Sequence, residues 1–221
     1  MGIKIKEKSS WIFHLSLLTL GLFLHDQQTL DLKIQSFFFL GNGQWLIDGN
    51  ELWSRIIFYH GPKVLLAIFG SIHIYKIVYA KYKENKVLKD SIQIVLALAI
   101  VPLFVSFLKA NTGIPCPHQL KHFGGEEPFF PIFSLIRGTR NCFPGGHASG
   151  GFALVTLWHL VGHKKNGKGL LLGLAVGWTM GLYQMMKGDH FLSHTLVSQE
   201  IAFLISLTLY QVLSKEQEKV I

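Results

Sequence analysis

Charge is what this sequence has least of. Only 15% of its 221 residues are Asp, Glu, Lys or Arg, against about 25% in an ordinary soluble domain. That is too little polar surface for a water-facing globule. Arginine is almost missing, with Arg55, Arg137 and Arg140 standing among 21 basic residues. Two cysteines exclude a disulfide-dense scaffold, and 22 glycines without a period exclude collagen. Internal repeats and low-complexity tracts are also lacking. What is present is apolar: 49% hydrophobic and 13% aromatic residues, with a mean hydropathy of +0.35. This excludes disorder and fits a bundle of membrane helices at roughly 20 residues per span.

Six apolar segments are expected to form the bundle, at 11–25, 62–80, 91–108, 147–163, 168–186 and 195–213. Several are short for a span, so their number and the polar turns between them carry the assignment. Twelve lysines sort to one face: Lys4, Lys6, Lys8, Lys81, Lys83, Lys86, Lys89, Lys164, Lys165, Lys168, Lys215 and Lys219. By the positive-inside rule that face is cytoplasmic, with both termini. The segments 26–61, 109–146 and 187–194, which hold all three arginines, then face the other side. The first apolar run follows KIKEK as a signal peptide would, but no small-residue cleavage site follows it, so a retained helix is expected. Segment 26–61, rich in Phe and Trp, is expected to be an interfacial helix at headgroup depth. The expected organisation is an N-terminal arm, span and interfacial segment over 1–61, a core over 62–213 and a tail over 214–221.

Cys116 and Cys142 fall in one extracytoplasmic loop, and an oxidising compartment favours a bridge between them over two free thiols. Closing that loop stabilises the fold by roughly 3–4 kcal/mol in the chain-entropy model.

The polar residues gather at three places on the outer boundary: KANTGIPCPHQLKHFGG from Lys109, RGTRNCFPGGHASGG from Arg137 and QMMKGDHFLSHTLVS from Gln184. Lys109, Lys121, Arg137, Arg140 and Lys187 offer cations. Pro144-Gly145-Gly146 before a helix start offers backbone N–H groups to an anion. His147 and His190 stand at helix–loop junctions. A phosphate in a cationic, glycine-lined cup beside two histidines suggests phosphoryl transfer, one histidine attacking phosphorus and the other protonating the leaving oxygen.

The three clusters resemble the three motifs of the type 2 phosphatidic acid phosphatase superfamily, a six-helix membrane fold in its lipid phosphatases. The first motif (Lys, six residues, Arg-Pro) resembles Lys109 and Cys116-Pro117. The second (Pro-Ser-Gly-His) resembles Pro144-Gly145-Gly146-His147. The third (Ser-Arg, five residues, His, three residues, Asp) resembles Tyr183-Gln184, His190 and His194. The resemblance covers about 62–213 and implies an all-α integral membrane bundle with an extracytoplasmic active-site pocket.

By resemblance His190 is the nucleophile that forms a phosphohistidine, His147 the acid for the departing alkoxide, and His194 the residue that orients His190. Lys109 and the N–H groups of Gly145 and Gly146 hold the phosphoryl oxygens, with no metal and no other cofactor required. Four positions depart from the pattern. Cys116 and Gln184 replace arginines, Gly145 replaces Ser and His194 replaces Asp. The guanidinium forks are not trivially replaced. Lys187, on the same helix face as Gln184, and Arg137 or Arg140 are the expected substitutes. Asp189 is expected to point elsewhere.

CPHQLKHFGG, CFPGGHAS and HFLSH resemble a divergent bacterial branch, which implies an inner-membrane enzyme. The partners implied are the bilayer and a phosphorylated lipid such as phosphatidic acid, phosphatidylglycerophosphate, a polyprenyl pyrophosphate or lipid A, and no nucleic acid. Two other readings stand beside this one. A reduced family member would bind or move a phospholipid without hydrolysis. A bis-histidine haem protein would use the pairs His190/His194 and His159/His163, which however lie at opposite membrane faces. His118 and His122 read as loop residues, Lys121 and Arg137 equally as surface charges or as ligands, and Glu126-Glu127 as an exposed turn.

Overall fold

The computed structural model describes residues 2–79, 85–134, 138, 140–160 and 167–218. Arg137 and the lysine-rich stretches at 81–84 and 161–166 lie outside them. The described chain is mostly helical: α1 (Gly2–Gln27), α2 (Thr29–Ser36), α3 (Leu52–Arg55), α4 (Gly61–Tyr79), α5 (Asn85–Thr112), α6 (Gly146–Phe152), α7 (Gly167–Met186) and α8 (Leu192–Glu218). A π-helical turn at Ile56–His60 joins α3 to α4 without a break. Among the described residues, four stretches are long and apolar enough to cross a membrane: Leu52–Tyr79, Leu88–Gln119, Gly167–Met186 and Leu192–Lys215.

Two expectations need correction. The segment 26–61 is not one interfacial helix. It is α2, a small antiparallel hairpin of β1 (Phe39–Gly41) and β2 (Gln44–Trp45), then α3 leading into α4. Asn42 and Gly43 both take positive φ at the hairpin tip, the conformation that Asn-Gly favours in a two-residue turn. The segment 147–163 is not a regular span either. The seven residues of α6 run into seven of 3₁₀-helix at Ala153–His159. The longer 3₁₀ rise lets these two pieces reach roughly 24 Å.

That irregular piece is held at the centre of the bundle. A Cβ on Gly151 would stand 2.7 Å from the Gly177 Cα on α7, so small residues let the two backbones meet. Val101, Phe152, Val155, Ala202 and Phe203 form the core around it. The Gln93 side chain donates to Thr156 Oγ1 at 3.0 Å and to the His159 carbonyl at 2.6 Å, satisfying the frayed 3₁₀ end. α1 packs along α8, where the buried His14 Nδ1 meets Glu200 Oε2 at 2.8 Å. α4 packs on α5, where His73 Nδ1 meets Ser91 Oγ at 3.1 Å.

Candidate active site

The ends of α5, α6, α7 and α8 converge at one end of the bundle. After α5 the chain turns at Gly113, and the following segment runs beside the one that enters α6. Thr112 Oγ1 donates to the Phe143 carbonyl at 2.7 Å, and the Cys142 N–H donates to the Ile114 carbonyl at 2.7 Å. Cys116 is bonded to Cys142, their Cα atoms 5.2 Å apart. The stretch that leaves Lys109 is thereby fixed to the stretch that presents His147.

α7 ends in a tight turn at Gly188, whose φ of +76° suits glycine. A Cβ there would also fall on the Trp45 indole. The Gln184 carbonyl accepts the N–H groups of Asp189 at 2.8 Å and His190 at 3.3 Å. The N-terminal segment closes this end of α7. Gln35 Nε2 donates to the Met185 carbonyl at 2.7 Å, and the Ile47 N–H donates to the Met186 carbonyl at 3.3 Å.

His190 and His194 are buried with their Nδ1 atoms 3.4 Å apart. One of the two must donate. A proton on His190 Nδ1 leaves the lone pair on Nε2, and this buried nitrogen has no partner among the described residues. Burial, helped by Lys109, pushes the His190 imidazole down to about 3, so at neutral pH it is uncharged and nucleophilic. The His147 ring lies 6.1 Å from that of His190 and packs against Tyr59. Lys109 reaches past Gly146: a Cβ on Gly146 would sit 3.8 Å from the Lys109 Cδ.

Lys63, Lys109, Gly146 and His147 line one end of a cleft of about 570 Å³. Apart from Ser106 its other walls are apolar, running between α4 and α5 as far as Ile74 and Val95. Lys63 lies outside the motifs and has no local signal in the sequence. Its Nζ sits 3.7 Å over the Tyr59 ring, a cation–π contact.

Several expected site residues do other work. The Gly145 N–H does not face the anion site. It donates to the His194 carbonyl at 3.0 Å, because Gly145 is the extended residue before α6. Arg140 is exposed and lies 3.9 Å from Glu127 Oε1, so it joins the outer loop rather than the histidines. Lys187 does share a face with Gln184, whose Oε1 it reaches at 3.2 Å. Its ammonium is committed to Asp189 Oδ2 at 2.6 Å. Asp189, expected to point away, is part of the site's rim and also meets His118 Nδ1 at 3.4 Å. Burial opposes its charge, but the bonds from His118 and Lys187 outweigh this and hold the carboxyl well below the usual range.

Cys142 Sγ and ring nitrogens of His190 and His194 lie within 4.8 Å of one another. The bond to Cys116 removes the thiolate that a metal would need there.

A second group lies directly behind His194 and carries no signal of its own in the sequence. Asp31, His25 and Ser193 are all buried together. Their types are those of a hydrolase triad, but their arrangement is not. Ser193 Oγ donates straight to Asp31 Oδ2, and His25 Nε2 is engaged by the Phe130 carbonyl at 3.3 Å.

Compared with known families, the chain matches the PAP2 superfamily over residues 90–218. That is more than half its length, and the chain belongs to this superfamily, that of the type 2 phosphatidic acid phosphatases. Its general activity is phosphatase chemistry on phosphate esters. No curated protein and no solved structure matches the chain.

Proposed function

We propose that this protein is a membrane phosphatase or phosphotransferase acting on a phosphorylated lipid through a phosphohistidine on His190. The observation that carries the substrate class is the cleft between α4 and α5, with cations and His147 at one end and apolar walls beyond. From Lys63 to Ile74 the groove follows roughly 16 Å of α4 at 1.5 Å per residue. An acyl or prenyl chain lies in that part while the phosphate meets Lys63, Lys109 and the Gly146 N–H.

His190 Nε2 gives its lone pair to phosphorus and the bond from phosphorus to the lipid oxygen breaks. Burial, helped by Lys63 and Lys109, lowers His147 to about 4 in the free protein. The incoming phosphate's negative charge offsets those cations, so His147 takes up a proton with the substrate and gives it to the departing oxygen. Water, or the hydroxyl of a second lipid, then attacks phosphorus and gives its proton to His147 as the N–P bond breaks. The phosphate leaves and His190 is restored. The cations already present offset the charge on the phosphoryl oxygens. The core over 62–213 supplies these groups, and residues 1–61 close the site's outer end. The lysine distribution supports a site on the extracytoplasmic face, with both termini cytoplasmic.

Phosphate release from a panel of lipid phosphates, by wild type and by His190→Ala with binding measured in parallel, tests the reading. Turnover lost in the variant supports it, whereas binding without turnover by wild type sinks it in favour of a lipid-binding relative. The cleft has its own test. Ala67→Trp raises KM for a long-chain lipid phosphate about tenfold and leaves a short-chain phosphate ester unaffected. An equal effect on both would show that chains do not lie there.

A further inference from the structure

We infer that Asp31 and His25, from the first two helices, are positioning residues for the nucleophile, acting through His194. The inference rests on the phosphohistidine reading and adds residues outside the matched stretch of 90–218.

α8 begins at Leu192, and its first turn leaves backbone N–H groups that need acceptors. Asp31 supplies one from another part of the chain. Its Oδ1 accepts the Ser193 N–H at 3.0 Å and its Oδ2 accepts the Ser193 hydroxyl. A carboxylate at a helix N-terminus is also favoured by the helix dipole. His194 is the next residue, so the same contacts set the direction in which its side chain leaves α8.

His25 then limits where that ring can turn. The Phe130 carbonyl can only accept, so His25 Nε2 carries a hydrogen and its Nδ1 faces Ser193 Oγ at 3.3 Å and Asp31 Oδ2 at 3.5 Å. The His25 ring, fixed at Nε2 by the Phe130 carbonyl, lies 5.2 Å from that of His194. Phe143 stands edge-on to His194 at 5.0 Å and Phe191 at 5.3 Å. Walled in this way, His194 keeps its Nδ1 at 3.4 Å from His190 Nδ1, which directs His190 Nε2 toward phosphorus. A carboxylate two rings behind the nucleophile also opposes the positive charge that its imidazole gains on phosphorylation, in a place where water cannot.

The test is rapid-quench measurement of phosphoenzyme formation from a radiolabelled lipid phosphate in detergent micelles. Wild type, Asp31→Asn, Ser193→Ala and His190→Ala are compared. Asp31→Asn keeps the shape and one acceptor while losing the charge. Its burst rate falls about ten- to hundredfold, the range for groups that orient a reacting ligand from behind, while KM and burst amplitude stay near wild type. A burst of lower amplitude at the wild-type rate would mean that Asp31 only holds the fold, and the inference fails. A fully wild-type burst overturns it as well. Should Asp31→Asn not fold, Ser193→Ala decides, since it leaves the Ser193 N–H to Asp31 Oδ1 bond in place. A slowed burst supports the inference and a wild-type rate refutes it. Absence of any phosphoenzyme in wild type is a different failure, that of the phosphohistidine reading itself.

Discussion

The buried histidines within the bundle and the motif histidines at its outer end solve the problem of burial in opposite ways. His14 spends a ring nitrogen on Glu200, and His73 spends one on Ser91. At the outer end, His147 Nδ1, His190 Nε2 and His194 Nε2 are buried and find no partner among the described residues. A buried polar atom left without a hydrogen bond costs about 1–3 kcal/mol. Three in one cluster is a cost that folding alone gives no reason to retain. On the proposed reading the difference separates histidines that hold helices together from histidines whose lone pairs and protons are reserved for a reaction.

The comparison breaks first at His190. His190→Gln loses at least about 10⁴-fold in phosphate release and keeps its thermal unfolding temperature in detergent at neutral pH, because the amide fills most of the ring's space, can still bond His194 Nδ1 and surrenders no satisfied bond from Nε2. An inactive protein that has also lost several degrees would place His190 among the structural histidines. His147→Gln lowers release from a lipid phosphate about 10²–10⁴-fold. With an aryl phosphate, whose leaving oxygen needs no proton, the loss is far smaller; equal losses on the two substrates would remove His147 from the role of acid.

The pH dependence of stability is the next measurement. His190 is held near 3 by burial, while in the unfolded chain it takes a proton at about 6.5. Above 6.5 neither state is protonated and the group has no effect. Below it the unfolded state alone binds the proton, so folding loses roughly 1.4 kcal/mol per pH unit until about pH 3. Thermal unfolding between pH 4 and 7 shows a shallower slope in His190→Gln than in wild type; identical slopes would contradict the assigned neutral imidazole. The smallest effect belongs to the interior pair. His14→Ala leaves a Glu200 acceptor unpaired and destabilises by about 1–3 kcal/mol, with turnover per folded molecule unchanged. A specific loss of turnover would erase the distinction between the two groups.

Spacing within the chain made the motif residues legible. Lys109, His147, His190 and His194 stand at helix ends fixed by apolar runs, and the fold gathers them at one end of the bundle. The hairpin was also legible, since Asn42-Gly43 is a turn signal, but the aromatic content of 26–61 masked it as an interfacial helix. Partners far apart in sequence were not legible. Asp31 meets Ser193 across 162 positions and His14 meets Glu200 across 186, and no local periodicity reports such pairs. The same holds for Gly145, whose N–H is taken by a carbonyl on α8, and for Arg140, which Glu127 draws into the loop. Position in the sequence put Lys109 and Lys187 near the histidines but could not say which cation was already committed, as Lys187 is to Asp189.

On the proposed reading a lipid reaches the groove between α4 and α5 from the bilayer rather than from water, and this sets the variable that controls the rate. A lipid substrate that enters by that route, and the lipid product that leaves by it, never dissolve; only the phosphate does. What the protein senses is therefore the fraction of neighbouring molecules in the leaflet that carry a phosphate, not a concentration per volume of medium. Diluting the lipid phosphate with inert lipid at constant total amount should slow turnover, while diluting the whole suspension with buffer should not.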